Sequence, residues 1–253
     1  MSIVTLASRE LRSLFLSPLA WGILAVVQFL YAYLFMGRLE GFLQIQARLS
    51  LMDKAPDVTE LVIIPVFANI ATILLLVIPL LTMRLISEER RARSLSLLLS
   101  APLSMSEIIL GKYLGLMAFI LCLLMLLLLL PLSLLGSGGL DPGLLFSAWL
   151  ALLLLAAAFA AAGLFMSSLT QYPTLAAIAS FGLLLLLWLF NMAANNVGDD
   201  GGTSILAYLS LLTHYENLIR GVINSSDILY YLLFITAFLV LSIRRLDSER
   251  LQA

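Results

Sequence analysis

The chain has 253 residues, of which 62% are hydrophobic and 11% charged, and its formal net charge is −1. Soluble domains carry about 45–50% apolar and about 25% charged residues, so this composition, with a mean hydropathy of +1.08, excludes a soluble globular enzyme and predicts an all-α, polytopic membrane protein. The near-neutral balance gives no sign of a nucleic-acid partner, and one cysteine (Cys122) with one histidine (His214) excludes an intrachain disulfide and a conventional metal site.

Residues 1–18 are amphipathic at helical spacing. Val4, Ala7, Leu11, Leu14 and Phe15 share one face, and Thr5, Arg9, Arg12 and Ser13 share the other. The pattern predicts a helix in the membrane interface, with Arg9 and Arg12 near lipid phosphates and Pro18 as its stop. Plain anchoring is the alternative reading.

A crossing needs about 20 apolar residues for about 30 Å of hydrocarbon. Six runs are read as crossings: 19–36, 61–83, 113–135, 144–166, 174–192 and 228–243, the last being short and able to borrow residues from Val222 onward. The first lacks a small-x-small exit, so a retained span is expected rather than a cleaved signal. Six crossings put both termini on one side. Ten of the 14 Lys and Arg residues fall on that side, against Arg38, Arg48, Lys54 and Arg220 on the other, whereas 9 of the 15 acids fall opposite. The positive-inside rule makes the terminal side cytoplasmic. The outer segments 37–60, 136–143 and 193–227 are too short for independent domains, which leaves 1–253 as one transmembrane domain.

Between the second and third runs, residues 84–107 read as helix, break, helix. Arg84–Arg93 packs six charges, with Glu89 and Arg93 at i,i+4 and Glu88 and Arg91 at i,i+3, both in the favourable order. Leu95, Leu98 and Leu99 add an apolar strip, Pro102 stops the helix, and Ser104-Met105-Ser106-Glu107 is a capping box for the third span. A positively charged topogenic loop is the bland reading; the break and the strip favour a docking element.

On the outer side, Thr213-His214-Tyr215-Glu216 reads as a second capping box, opening a short helix that stops at Arg220-Gly221. Asn224-Ser225-Ser226-Asp227 offers caps for the last span. The small residues of 156–163 allow close helix approach. Gln28, Asn69 and Asn191 are intramembrane amides, read as interhelical glue in preference to function. Pro65 and Pro79 are expected to kink the second span. No phosphate-cradling Gly-x-x-x-x-Gly-Lys loop, zinc-peptidase motif or nucleophile elbow is present.

Several stretches resemble type-2 ABC exporter permeases. Arg9–Ala20 looks like their entry helix. Glu88-Glu89-Arg90, Ser94-Leu95, Leu98-Leu99 and Pro102-Leu103-Ser104, followed by Ile109-Leu110-Gly111-Lys112-Tyr113, look like their coupling-helix region, and 163–170 matches the exit of the fourth span. His214-Tyr215-Glu216-Asn217 with Arg220-Gly221 is most similar to the gliding-motility permease subgroup, while Arg90-Arg91-Ala92-Arg93 is more basic than that pattern. The resemblance implies a homodimer of permease copies in a bacterial inner membrane, coupled through Glu88, Glu89, Arg90, Arg91, Arg93, Ser94, Leu95, Leu98 and Pro102 to a cytoplasmic ATPase dimer. ATP and Mg would be bound by that partner, with no cofactor on this chain. It further implies a membrane-anchored extracytoplasmic accessory protein, contacted through the outer loops, with His214, Tyr215, Glu216 and Arg220 at an outer gate or partner surface. Two other readings stay open: force transmission without transport, and a membrane enzyme using Glu216, His214 and Arg220.

Overall fold

The computed structural model describes residues 3–49, 57–92, 104–134, 140–196 and 210–250. Among these, every regular element is helical: α1 (Ile3–Leu16), α2 (Pro18–Leu49), a π turn (Thr59–Ile63) running into α3 (Ile64–Thr82), α4 (Ser87–Arg91), α5 (Met105–Ser133), α6 (Pro142–Leu169), α7 (Pro173–Asn196), α8 (Leu211–Ile219) and α9 (Ser225–Arg250). Among the described residues five stretches are long and apolar enough to cross a membrane, namely Pro18–Gln46, Thr59–Arg91, Met105–Ser133, Pro142–Leu169 and Ser225–Ser248. The run predicted at 174–192 falls on α7, which is apolar over Pro173–Leu189.

Several boundaries differ from expectation. Pro18 opens α2 instead of merely closing α1, because a first-turn position loses nothing from a missing N–H. The first run does not end near Met36; α2 continues as a single helix of 32 residues, so the first part of the expected loop 37–60 is helical. Residues 37–49 contain no proline and are rich in Leu, Gln, Arg and Glu, which propagate a helix well. The last span starts at Ser225, so it borrows Ser225–Asp227 but not 222–224.

Prolines shape α3 at both ends. Pro65 is the second residue of α3, just past the π turn, and the Ile64 N–H bonds back to the Thr59 carbonyl. Pro79 lies inside α3 and denies the Leu75 carbonyl its helical donor; the helix ends at Thr82, one turn later.

The centre of the bundle is α6. In its apolar window 72% of residues are buried, against 33% for α2 and 28% for α9, and it touches α3, α5, α7, α8 and α9. A helix apolar all round belongs at the middle of a bundle, and the small-residue stretch is what lets neighbours approach. A Cβ added at Gly163 would lie 2.8 Å from Thr82 Cβ. Polar side chains tie crossings together across the bundle: Tyr113 OH donates to the Ala157 carbonyl at 3.1 Å, Trp149 Nε1 to Leu124 at 3.3 Å and Gln28 Nε2 to Leu126 at 3.4 Å. Gln28 therefore acts as glue; the side chain of Asn191 lies outside the described residues.

α1 departs most from the sequence reading. It packs chiefly along the start of α5, with Leu6 buried and Val4 74% exposed. Ala7, Leu11, Leu14 and Phe15 of the expected face turn inward, joined by Leu6 and Glu10, while Val4 does not. Gly111 and Gly115, one turn apart on α5, allow this contact: a Cβ at Gly111 would stand 2.6 Å from Leu6 Cδ2, and one at Gly115 would stand 2.8 Å from the Ala7 carbonyl oxygen. Phe15 against Phe119, at 5.2 Å, continues the seam.

Candidate functional site

The charged groups gather where α1, the α3–α4 junction, the start of α5 and the end of α6 meet. The α5 start is held by the predicted capping box: Ser104 Oγ accepts the Glu107 N–H at 3.2 Å, and Glu107 Oε2 accepts the Ser104 N–H at 2.9 Å. Two turns later Lys112, 2% exposed, donates to Glu89 Oε1 at 2.7 Å and Glu10 Oε2 at 3.2 Å. A buried ammonium is costly unless paired, and here two carboxylates from two other helices answer it. The side chains thus clasp α1, α4 and α5.

α6 supplies the remaining contacts. The short helix α4 has no side-chain cap of its own at Ile86. Instead Ser167 Oγ, from α6, accepts the N–H groups of Ile86 and Ser87, both at 3.2 Å, and donates to the Met83 carbonyl at 3.1 Å. These are the orphan donors that every helix start must satisfy. Ser87 Oγ donates to the same Met83 carbonyl, and Arg90 Nη2 donates to the Ser168 carbonyl at 2.6 Å. Glu88 and Glu89 in the first turn and Arg90 and Arg91 in the last also suit the helix dipole.

The predicted coupling residues therefore divide. Glu89 and Arg90 face inward and hold α4 to the bundle, while Glu88 and Arg91 are exposed. The expected Glu88–Arg91 pair is replaced by Arg84–Glu88 at 4.0 Å. Arg93, Ser94, Leu95, Leu98, Leu99 and Pro102 lie outside the described residues. Arg9 and Arg12 are exposed on α1, as expected. The sequence reading passed over Glu10, Lys112 and Ser167 as site residues. An acid spaced by four from both Leu6 and Leu14 was the available signal for Glu10.

The model of a protein family described as ABC-2 family transporter protein matches residues 4–251. The chain belongs to this family. The comparison with curated proteins found no match. Members of the ABC-2 family are transmembrane subunits of ABC transporters, generally not catalytic themselves. Membership implies partnership with an ABC ATPase and dimerisation.

At the opposite end of this ABC-2 chain, α8 packs between α6, α7 and α9. Its start is a correction: the helix begins at Leu211 with Ser210 as N-cap and no side-chain cap bond, so Thr213 lies inside it. Its end is as expected. Gly221, at φ 82°, carries the turn, and the bonds Gly221 N–H to Leu218 at 3.0 Å and Val222 N–H to Asn217 at 3.1 Å form a Schellman motif. His214 is buried, with Nδ1 2.6 Å from Asp227 Oδ1 and its ring stacked on Tyr230 at 4.1 Å. Tyr215 OH donates to the Phe67 carbonyl at 2.9 Å. Glu216 and Arg220 are exposed, so the structure does not bring His214, Glu216 and Arg220 together as an enzyme constellation. Asp227, expected as a helix cap, is instead a buried partner of His214. Asp141 does the capping at α6, accepting the N–H of Gly143 at 2.8 Å and of Leu144 at 3.3 Å. Among the described residues no group of three His, Cys, Asp or Glu could hold a metal ion.

Proposed function

We propose that this chain is the permease subunit of an ATP-driven exporter in a bacterial inner membrane, with six crossings that include α7, both termini cytoplasmic, and residues 1–253 forming one transmembrane domain. Two copies pair with a cytoplasmic ATPase dimer, which binds the ATP and Mg; this chain holds no cofactor. The segment beginning at Arg84 and running through 104 is the coupling element. The observation that carries the reading is the clasp: Lys112 joins Glu10 and Glu89 at 3.2 and 2.7 Å, so a push on α4 reaches α1, α5 and α6 together, while Glu88 and Arg91 remain exposed for a partner. Rigidity is what a lever needs, and the satisfied hydrogen bonds of α4 provide it.

The second reading is force transmission to an extracytoplasmic accessory protein of the gliding-motility type. It draws support from α2, whose 32 residues extend about 48 Å at about 1.5 Å per residue, well beyond the hydrocarbon thickness. A rod projecting outward, with Glu216 and Arg220 also exposed, suits a partner on that side.

Charge reversal of Glu88 tests the coupling role without touching the clasp. In the reconstituted complex, Glu88→Arg should leave insertion and thermal stability unchanged and lower coupled ATP hydrolysis roughly tenfold, as loss of an exposed interface charge can do. Wild-type coupling in that variant would remove the docking role.

A further inference from the structure

Beside the clasp lies a cavity of about 350 Å³ whose lining is divided in chemistry. Arg9, Arg84 and Glu88, together with the clasp residues Glu10, Glu89 and Lys112, form a polar wall, and Leu19, Leu80 and Leu81 form an apolar one. The apolar wall belongs to the first turn of α2 and the last turn of α3, the ends of two membrane-crossing helices. The polar wall belongs to α1, the α3–α4 junction, α4 and α5, so the cavity straddles the boundary between hydrocarbon and headgroups.

Its charges are incompletely answered from within the chain. Lys112 is taken by the two clasp carboxylates. Arg84 meets Glu88 only at 4.0 Å, and Arg9 has no ion-pair partner among the described residues. Two guanidinium groups facing one small cavity repel, and they bind phosphate oxygens well because their donor forks match that geometry. Glu88 adds an acceptor for an ammonium group. The volume sits at the low end of small-molecule pockets, which run from about 300 to 1,000 Å³. That is room for a headgroup, with the apolar wall left for acyl chains.

We propose that this cavity binds the headgroup of an aminophospholipid from the inner leaflet, with Arg9 and Arg84 on the phosphate and Glu88 on the amine. The inference rests on the membrane placement proposed above and shares Glu88 with the docking edge of α4, so its test uses the permease alone. A bound headgroup would wedge α1 against the coupling element, so lipid composition would bear on how α4 moves.

Native mass spectrometry of the delipidated permease alone, titrated with phosphatidylethanolamine, phosphatidylglycerol or soluble glycerophosphoethanolamine, tests it. The wild type should bind phosphatidylethanolamine more tightly than phosphatidylglycerol, and the soluble headgroup weakly. Arg9→Ala with Arg84→Ala should lose at least about tenfold in affinity, the scale of one charged hydrogen bond. Glu88→Gln should erase the preference for the amine, and Arg38→Ala, remote from the cavity, should change nothing. Binding that survives the double variant overturns the proposal. Equal binding of the soluble headgroup overturns the lipid as its source, and tighter phosphatidylglycerol binding overturns the role of Glu88. Because no ATPase is present, these outcomes are separate from a failure of coupling. Should the alanine pair fail to fold, Arg9→Lys with Arg84→Lys keeps the charge and removes the fork, and undiminished affinity there also overturns the proposal.

Discussion

Replacing Lys112 by methionine should lower stability by about 3 kcal/mol and disconnect α1 from α4. Breaking a buried ion pair by removing one partner costs about 3–5 kcal/mol, because a charge is left without compensation. The lower end applies here, since Glu10 and Glu89 keep 19% and 27% side-chain exposure while Lys112 has 3%. The same reasoning predicts rescue. Adding Glu10→Gln and Glu89→Gln to Lys112→Met removes all three charges and should recover most of the loss, since neutral replacement of a buried ion network is often close to neutral overall. Thermal unfolding of the purified protein in detergent measures both. A triple variant as unstable as the single one would mean that Lys112 acts through packing alone.

Gly115→Ala should destabilise the seam between α1 and α5, and Gly115→Val should do so more severely. The added Cβ would lie 2.7 Å from Glu10 Cβ and 2.8 Å from the Ala7 carbonyl oxygen. A backbone carbonyl cannot swing aside as a side-chain end can, so α1 must move off α5 as a unit and carry Glu10 away from Lys112. Overpacking of this kind costs about 1–3 kcal/mol. Gly182→Ala on α7 is the control of opposite sign: nothing lies within 4 Å of its added Cβ, and alanine is favoured over glycine inside a helix by about 1 kcal/mol. Hydrogen exchange along α1 should rise in the Gly115 variants and stay at the wild-type level in the Gly182 variant. Unchanged protection of α1 in Gly115→Val would show that the seam does not hold the helix.

The membrane helices were legible in the sequence because hydrocarbon thickness sets a length and lipid forbids charge, and both leave marks in any single run of residues. The capping box at Ser104 and the stop at Gly221 were legible for a similar reason: each is a local pattern of three or four residues. What stayed hidden depends on which helices meet. Glu89 was assigned a partner on its own helix, yet its carboxylate reaches Lys112, 23 residues away. His214 falls in an apparent capping box and Asp227 in a run of cap residues, and only the packing of α8 on α9 makes them partners. The N-terminal helix was read by amphipathicity alone, which cannot distinguish a lipid surface from the glycine-lined flank of α5. The inward face containing Leu6 and Glu10 follows from Gly111 and Gly115, which sit about a hundred residues further along the chain.

In the proposed function, the exposed edge of α4 meets a nucleotide-hydrolysing subunit. A photo-crosslinking residue at Arg91, which is exposed on α4, tests it directly in cells that also express the ABC ATPase. A crosslinked product with the ATPase is expected from position 91 and none from position 38 on the far side of the bundle. Crosslinks from position 91 to lipid alone, with the ATPase present and assembled, would contradict it.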